Sequence, residues 1–169
     1  MAVGVAVGVG PGVADTGWVL LAYRLPREPS GPRVTVWRKL RRLGALQVVD
    51  GLVALPADAE TVEAFDWLAD EVIEAGGGAW TWRATGSKQQ DRALRQQLKD
   101  AVIDEYVALI AEARAAGNAA PRRTAQRLRR TLRDIERRDY IAPRERDDAR
   151  RAVQRVIDSS GATAEERVR

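Results

Sequence analysis

An Asp-Gly pair between two short apolar runs constrains the fold of this chain more than any other local feature. Asp50-Gly51 separates the run Ala45–Val49 from the run Leu52–Leu55, and Pro56 ends the second run. Both central positions of the tightest hairpin turn need positive φ, which Asp-Gly pairs adopt readily. We therefore predict two antiparallel strands joined by this turn.

An amphipathic helix is predicted before the hairpin, from about Arg33 to Leu43. Ser30 or Gly31 suits its N-cap, Pro32 suits its first position, and Gly44 suits its end. On a wheel of about 100° per residue, the apolar side is expected to face the core and holds Val36, Trp37, Leu40 and Leu43. The opposite, cationic side holds Arg38, Lys39, Arg41 and Arg42.

A second helix is predicted after the hairpin, from Asp58 as N-cap to Ala75. Two further apolar runs, Trp18–Leu25 and Ala79–Arg83, predict the outer strands. The resulting order, β-α-β-β-α-β, is that of the ferredoxin-like fold, an antiparallel four-stranded sheet with both helices on one face. The predicted fold class is therefore α+β.

The rest of the chain is predicted to be helical. One long helix is expected over Ser87–Ala116, a second from Pro121 and a third from Pro143. We expect a disordered leader at residues 1–16, a ferredoxin-like α+β domain at 17–85, a helical region packed on it at 86–160, and a frayed tail at 161–169. The leader is rich in Ala, Val and Gly, lacks a basic n-region, and is too short to span a membrane. A cytoplasmic location is expected.

The residue types that are missing limit the chemistry. The 169 residues include no Cys and no His, which removes thiolate nucleophiles, disulfides, the commonest general base and the commonest transition-metal ligand. No acid pair, serine or glycine-rich loop forms a catalytic constellation. We therefore expect a protein that is not an enzyme and that uses no cofactor and no metal.

Charge is distributed unevenly along the chain. Arg24–Gly44 holds seven bases against one acid, Asp58–Glu74 holds seven acids and no base, and Arg122–Arg155 holds thirteen arginines against six acids. Basic zones of this kind attract anions such as nucleic acid. Ordinary solvated helix faces would give the same pattern, so charge alone leaves both interpretations open.

Five tryptophans are many for a chain of this length. Trp37 and Trp67 fall on the apolar sides of the two predicted helices, and we predict that both lie in the core. Trp80 and Trp82 form a stripe on one face of the last predicted strand. Such a stripe can stack single-stranded bases, or it can pack against the helical region or a partner subunit.

Two motifs carry a family resemblance. The first comprises YRLPREPS, then PR-x-x-x-WRKLRRLGA, then DGL-x-ALP, within Trp18–Pro56. The second is IERRDYIAP at Ile135–Pro143, followed by RERDDARRAV. Over Gly17–Ile157 the chain resembles the N-terminal domain of ChrB-type chromate resistance regulators, and its first half is similar to the central ferredoxin-like domain of PaaX-type repressors.

The resemblance implies a transcription regulator that binds promoter DNA and responds to chromate. The small CRISPR-associated nucleases share the fold and carry a metal-holding aspartate near the end of the first strand. Here that strand ends Ala22-Tyr23-Arg24-Leu25, so nuclease activity is not expected. Full-length ChrB regulators carry an additional C-terminal domain, so a separate partner that supplies this domain is one expectation, and a homodimer is another.

These observations leave three hypotheses. A DNA-binding regulator would use arginine-rich helices, with the nucleic-acid-binding set Arg38, Lys39, Arg41, Arg42, Arg129, Arg130 and Arg133. An oxyanion-sensing or protein-interaction module would not touch DNA, and would bind chromate or sulfate through Arg24, Arg27 and Arg33, which flank a helix start. An enzyme acting on nucleic acid ranks third, because His, Cys and the strand-end Asp are absent.

Overall fold

A β-α-β-β-α-β unit is followed by three helices. The structure, a computed structural model, describes residues 17–117 and 120–166, with side chains through Ser160. The predicted leader, residues 1–16, lies outside the described residues. The elements are β1 (Trp18–Arg24), α1 (Gly31–Leu43), β2 (Leu46–Val49), β3 (Leu52–Pro56), α2 (Ala59–Glu74), β4 (Gly78–Ala84), α3 (Lys88–Ala116), α4 (Arg122–Glu136) and α5 (Glu145–Glu166).

The strands form one antiparallel sheet in the order β2-β3-β1-β4. The ferredoxin-like α+β class with a helical C-terminal part is therefore confirmed. The hairpin turn forms at Asp50-Gly51 as predicted, with Gly51 at φ 73°. The expectation of positive φ at both central positions is wrong, because Asp50 does not have a positive φ and the β2–β3 register shifts just before the turn, between Gln47 and Val49. Tyr23 N donates a hydrogen bond of 2.7 Å to Gly51 O, and a Cβ on Gly51 would lie 2.7 Å from Tyr23 O. The turn therefore needs glycine for both its conformation and its close contact with β1.

The two faces of the sheet are packed against different helices. Val19 and Leu21 point toward α1 and α2 and are buried against both helices. Asp58 caps α2 as predicted, since its side chain accepts a hydrogen bond from Thr61 N at 2.8 Å. The buried apolar helix residues on this face are Val36, Leu40, Phe65, Leu68, Ala69 and Val72.

The opposite face is partly covered by the first turns of α3, where Leu94 and Leu98 pack against Trp18. The indole Nε1 of Trp18 donates to Asp91 Oδ1 at 3.0 Å, and the Arg95 guanidinium lies 5.7 Å from the Trp18 ring centroid. Hydrogen bonds from Arg95 hold the pKa of Asp91 below its usual value. These polar contacts fix α3 across one end of the sheet.

A second core lies among α3, α4 and α5. Tyr106 and Leu109 of α3 pack there against Leu128 of α4 and Val153 of α5. The last helix continues to Glu166, so it extends beyond Gly161, where the sequence predicts that a frayed tail begins. No helix in residues 17–117 and 120–166 combines the length and the apolar character of a membrane span.

The loop between α4 and α5 joins the two cores. Asp139 accepts hydrogen bonds from the Tyr106 hydroxyl at 2.9 Å, from Ile141 N at 3.0 Å and from Ala142 N at 2.8 Å. These bonds support the positive φ of 51° at Ala142. The Tyr140 hydroxyl donates to Leu43 O at 2.8 Å, at the end of α1. Asp139 therefore ties the loop to the helical core, and Tyr140 ties it to the sheet domain.

We predict that this joint loosens at high pH. Burial, helped by the charges of Asp58 and Glu60, raises the pKa of Tyr140 to about 12, so the folded state favours the neutral phenol. The contribution of the Tyr140 hydroxyl to the free energy of unfolding is fully present below its unfolded pKa of about 10. This contribution is lost as pH rises through about 12, by up to about 1.4 kcal/mol per pH unit. Urea unfolding across this range should show a steeper loss for the wild type than for Tyr140→Phe. Equal slopes would contradict the assignment.

Candidate nucleic-acid interface

A groove of about 850 Å³ runs between α1, the start of β2, the middle of α3 and the end of α4. From α1 it is lined by Trp37, Arg38, Arg41 and Arg42, and from the other elements by residues that include Leu46, Ala101, Glu105, Asp134, Arg137 and Arg138. The α1 arginines follow the i, i+3, i+4 spacing that places side chains on one helix face. Burial of Val36 and Leu40 against the sheet turns that face outward.

The groove carries excess positive charge. Arg138 pairs with Glu105, and Arg137 pairs with Asp134. In contrast, Arg38, Arg41 and Arg42 have no carboxylate partner in the part of the chain that the structure describes, and all three are exposed. These three guanidinium groups are therefore available to an anionic partner.

Lys39 points away from the groove. Its Nζ lies 2.5 Å from Glu71 Oε2 of α2, so the acidic second helix neutralises it. The nucleic-acid-binding role predicted for Lys39 stays a prediction, but the structure places this side chain apart from its three neighbours on α1.

Trp37 lines the groove instead of the core. The prediction that Trp37 and Trp67 are core residues is wrong, because their side chains are 54% and 70% exposed. The sheet contacts a narrower stripe of each helix than the wheel implied, and Val36 and Leu68 occupy it. The Arg41 guanidinium lies 5.1 Å from the Trp37 ring centroid. Such a cation–π contact orders Arg41 at the groove rim without neutralising its charge.

The arginines of α4 divide between two sides of that helix. Arg130 and Arg133 line a depression of about 430 Å³ with Asp134, Glu136 and Arg137. Asp134 and Arg137 also line the larger groove. Arg129 lines a different depression, next to Ile157 and Ser160 of α5. We use the name basic groove for the continuous surface that carries Trp37, Arg38, Arg41, Arg42, Arg130 and Arg133.

Sequence reasoning missed part of this surface. Arg137 could have been found, because it continues the i, i+3, i+7 series from Arg130 and Arg133 along one face of α4. The pair between Arg138 and Glu105 had no local signal, since 33 residues separate its members. Only the packing of α4 beside α3 brings them together.

The three arginines of the predicted oxyanion set lie together at another place. Arg24, Arg27 and Arg33 line a depression of about 580 Å³ with Gly76–Gly78. The register pairs Arg24 with Gly78, so the end of β1 meets the start of β4 there. A Cβ on Gly77 would lie 2.4 Å from Arg24 O, so glycine is needed for this approach. None of the three arginines has a carboxylate partner among the described residues.

Within residues 17–117 and 120–160 no three His, Cys, Asp or Glu side chains are grouped as ligands for a metal ion. Both candidate surfaces carry several arginines among their lining residues, and the groove beside α1 also carries Trp37. Such side chains bind anions and aromatic bases through charge, hydrogen bonds and stacking.

Comparison with known proteins identifies the family of this chain. A family model described as "Protein ChrB, N-terminal" matches residues 33–118, which is just over half of the chain. The chain belongs to the ChrB N-terminal family. The matched range includes the three groove arginines of α1 and ends before α4.

A curated member of this ChrB family gives a second comparison. Protein ChrB of Cupriavidus metallidurans is 29% identical over 90 residues, which are 53% of this chain and 28% of that protein. The aligned segment is therefore less than a third of the ChrB relative. No solved structure matches the chain.

Proposed function

We propose that this ChrB-family, chromate-resistance-associated chain is a DNA-binding regulator that acts by binding and not by catalysis. One observation carries the proposal: the basic groove joins unpaired arginines from α1 and from α4, which are far apart in sequence, on one exposed surface. A shared surface suits a long polyanion that contacts both helices at once.

The proposed contacts are to the phosphate backbone. Arginine presents a planar fork of donors that matches phosphate oxygens, and an unpaired guanidinium needs no internal ion pair broken before it binds. Arg41, held over the Trp37 ring, has less side-chain freedom to lose. Phosphate contacts set position and affinity, whereas base contacts set sequence preference, so the proposal assigns backbone binding to the basic groove.

Salt dependence tests this proposal. Neutralising five phosphates with Arg38, Arg41, Arg42, Arg130 and Arg133 would give a slope of log K against log salt of about −4.5, or about a 500-fold loss between 50 and 200 mM salt. The measurement is fluorescence anisotropy of a labelled promoter duplex at several salt concentrations. Absent binding, or binding that salt leaves unchanged, would contradict the proposal.

A second candidate function is recognition of chromate or a similar tetrahedral oxyanion. The supporting observation is that Arg24, Arg27 and Arg33 line one depression beside the start of α1. Three guanidinium forks around one depression would suit a dianion with four oxygens.

Calorimetry tests this second candidate. We expect heat on titration of chromate or sulfate into the wild type, and at least a tenfold weaker affinity in an Arg27→Ala/Arg33→Ala variant. An Arg92→Ala/Arg155→Ala variant makes the same change in net charge outside the depression and should bind like the wild type. No heat with either anion would count against the site.

A further inference from the structure

Strand β4 has an open side. It pairs with β1 along its whole length, from Trp18 opposite Ala84 to Arg24 opposite Gly78, with no break in register. On its other side no strand of the described residues pairs with it. Natural edge strands are usually short, bulged, or protected by proline or inward charges. β4 has seven residues, no bulge and no proline, so its free backbone groups can accept another strand.

The same strand exposes two tryptophans. Trp80 and Trp82 alternate with Thr81, so they share one face of the sheet, and they are 63% and 50% exposed. Their partners on β1 are Ala22 and Leu20. The prediction left open whether the helical region covers this pair, and α3 does not. Exposed tryptophans beside a free strand edge are typical of an interaction surface.

We propose that β4 pairs antiparallel with β4 of a second copy, about a twofold axis at Thr81, so that two sheets become one of eight strands. Residues that lie directly opposite each other in antiparallel strands point to the same face of the sheet. The register must therefore place even-numbered residues of one β4 opposite even-numbered residues of the other, or the tryptophans of the two copies would lie on different faces. With the axis at Thr81, Trp80 lies opposite Trp82 of the second copy, and the reverse pair forms too. This register places all four tryptophans in cross-strand aromatic pairs, which stabilise sheets. An unrelated strand would not supply such matching.

Charge on the other face of β4 also fits a second copy. Asp66 of α2 accepts a hydrogen bond from the Thr81 hydroxyl at 2.9 Å, so each copy brings one carboxylate near the axis. Arg83 lies two residues along β4 on the same face as Thr81, is exposed, and has no carboxylate partner among the described residues. In the proposed register Arg83 faces Ala79 of the second copy and can reach that copy's Asp66. The two acids near the axis are thereby offset by two arginines.

The available area suits a stable interface. A buried tryptophan covers about 150–250 Å², so the exposed parts of four tryptophans supply roughly a third of the about 1,600 Å² that a standard interface buries. Ile73, exposed and seven residues after Asp66 on the same side of α2, adds apolar area in the helix layer. Strand backbones and the Arg83–Asp66 contacts add further area.

The dimer geometry also suits DNA binding. This is the one argument for the dimer that rests on the proposed function. The basic groove begins at β2, at the far edge of the sheet. In an eight-stranded sheet the two β2 strands are seven spacings apart, or about 34 Å. This separation matches one turn of B-DNA, the spacing of half-sites bound by twofold dimers.

Sedimentation equilibrium without DNA tests the dimer. Absence of a dimer can therefore be distinguished from absence of DNA binding. At about 100 µM, where a standard interface is saturated, we expect twice the 18.6 kDa chain mass. Trp80→Ser/Trp82→Ser should weaken dimerisation at least 100-fold, and Trp67→Ser, which removes an exposed tryptophan elsewhere, should not. Circular dichroism and urea unfolding check that both variants fold.

A cysteine crosslink tests the register. Because the chain has no Cys, Thr81→Cys places one thiol on the axis, and mild oxidation should give a disulfide-linked dimer. Gln47→Cys, exposed on β2 at the opposite edge, should stay monomeric on the denaturing gel. A monomeric wild type would overturn the proposal, and so would a double tryptophan variant that dimerises like the wild type, or equal crosslinking at positions 81 and 47.

Discussion

Replacing Arg38, Arg41 and Arg42 together by alanine is expected to weaken DNA binding about 100-fold at 0.15 M salt. Each lost phosphate contact reduces the salt slope by about 0.9, so the slope should fall by nearly three, while the affinities converge near 1 M salt. All three side chains are exposed and form no ion pair with any described carboxylate. Removing them should therefore leave the fold intact, apart from the contact between Arg41 and Trp37.

A matched variant separates the basic groove from net charge. Arg92→Ala/Arg114→Ala/Arg155→Ala removes the same three charges from exposed positions on α3 and α5 that line no part of the basic groove. We expect its salt slope to stay close to that of the wild type, and its affinity to fall only through the weaker long-range field. An equal loss in both variants would show that DNA responds to overall charge and not to this surface.

Replacing Asp139 by alanine is expected to lower the free energy of unfolding by about 3–5 kcal/mol. The Asp139 side chain is fully buried and lies 3.8 Å from an Arg146 nitrogen. It also accepts the three hydrogen bonds from Tyr106, Ile141 and Ala142. Loss of the carboxylate leaves these three donors without their acceptor, and it leaves Arg146 with Glu136, 3.7 Å from its Nε, as its remaining acidic neighbour. A domain of this size has about 5–15 kcal/mol in total.

Two smaller changes divide this effect into its parts. Asp139→Asn keeps an oxygen for the backbone donors and loses the charge, so it should cost less than alanine. Tyr106→Phe removes one hydrogen bond and should cost about 1 kcal/mol. Urea unfolding of the single variants, and of the double variant with Asp139→Ala, gives the coupling between the two residues. A loss below about 1 kcal/mol for Asp139→Ala would contradict the role assigned to this carboxylate.

Local sequence signals predicted the sheet domain well because its determinants are local. The Asp-Gly turn needs positive φ at Gly51, and alternation along β1 separates Val19 and Leu21 from Trp18. The convergence of Arg24, Arg27 and Arg33 was also predictable, since Arg24 ends β1, Arg27 lies in the short loop that follows, and Arg33 lies in the helix that begins after this loop. Strand register and loop length fix such neighbours before any distant packing occurs.

Distant packing explains what the sequence did not predict. A helical wheel placed Trp37 and Trp67 on apolar sides, but the sheet contacts only the narrow stripe of each helix that Val36 and Leu68 occupy. The motif IERRDYIAP was recognised only by resemblance. Its physical role depends on the bond from Tyr140 to Leu43, which spans 97 residues, and no periodicity indicates such a contact.

The most direct test of the central claim is an NMR titration of the five indole N–H signals with promoter DNA. Trp37 lines the basic groove, whereas Trp67 lies exposed on the acidic second helix and Trp80 and Trp82 lie on β4. Signals are assigned with single Trp→Phe variants. We predict that the Trp37 signal shifts or broadens as DNA is added, while the Trp67 signal stays in place. An unchanged Trp37 signal, with changes at Trp67, Trp80 or Trp82, would contradict binding in the basic groove.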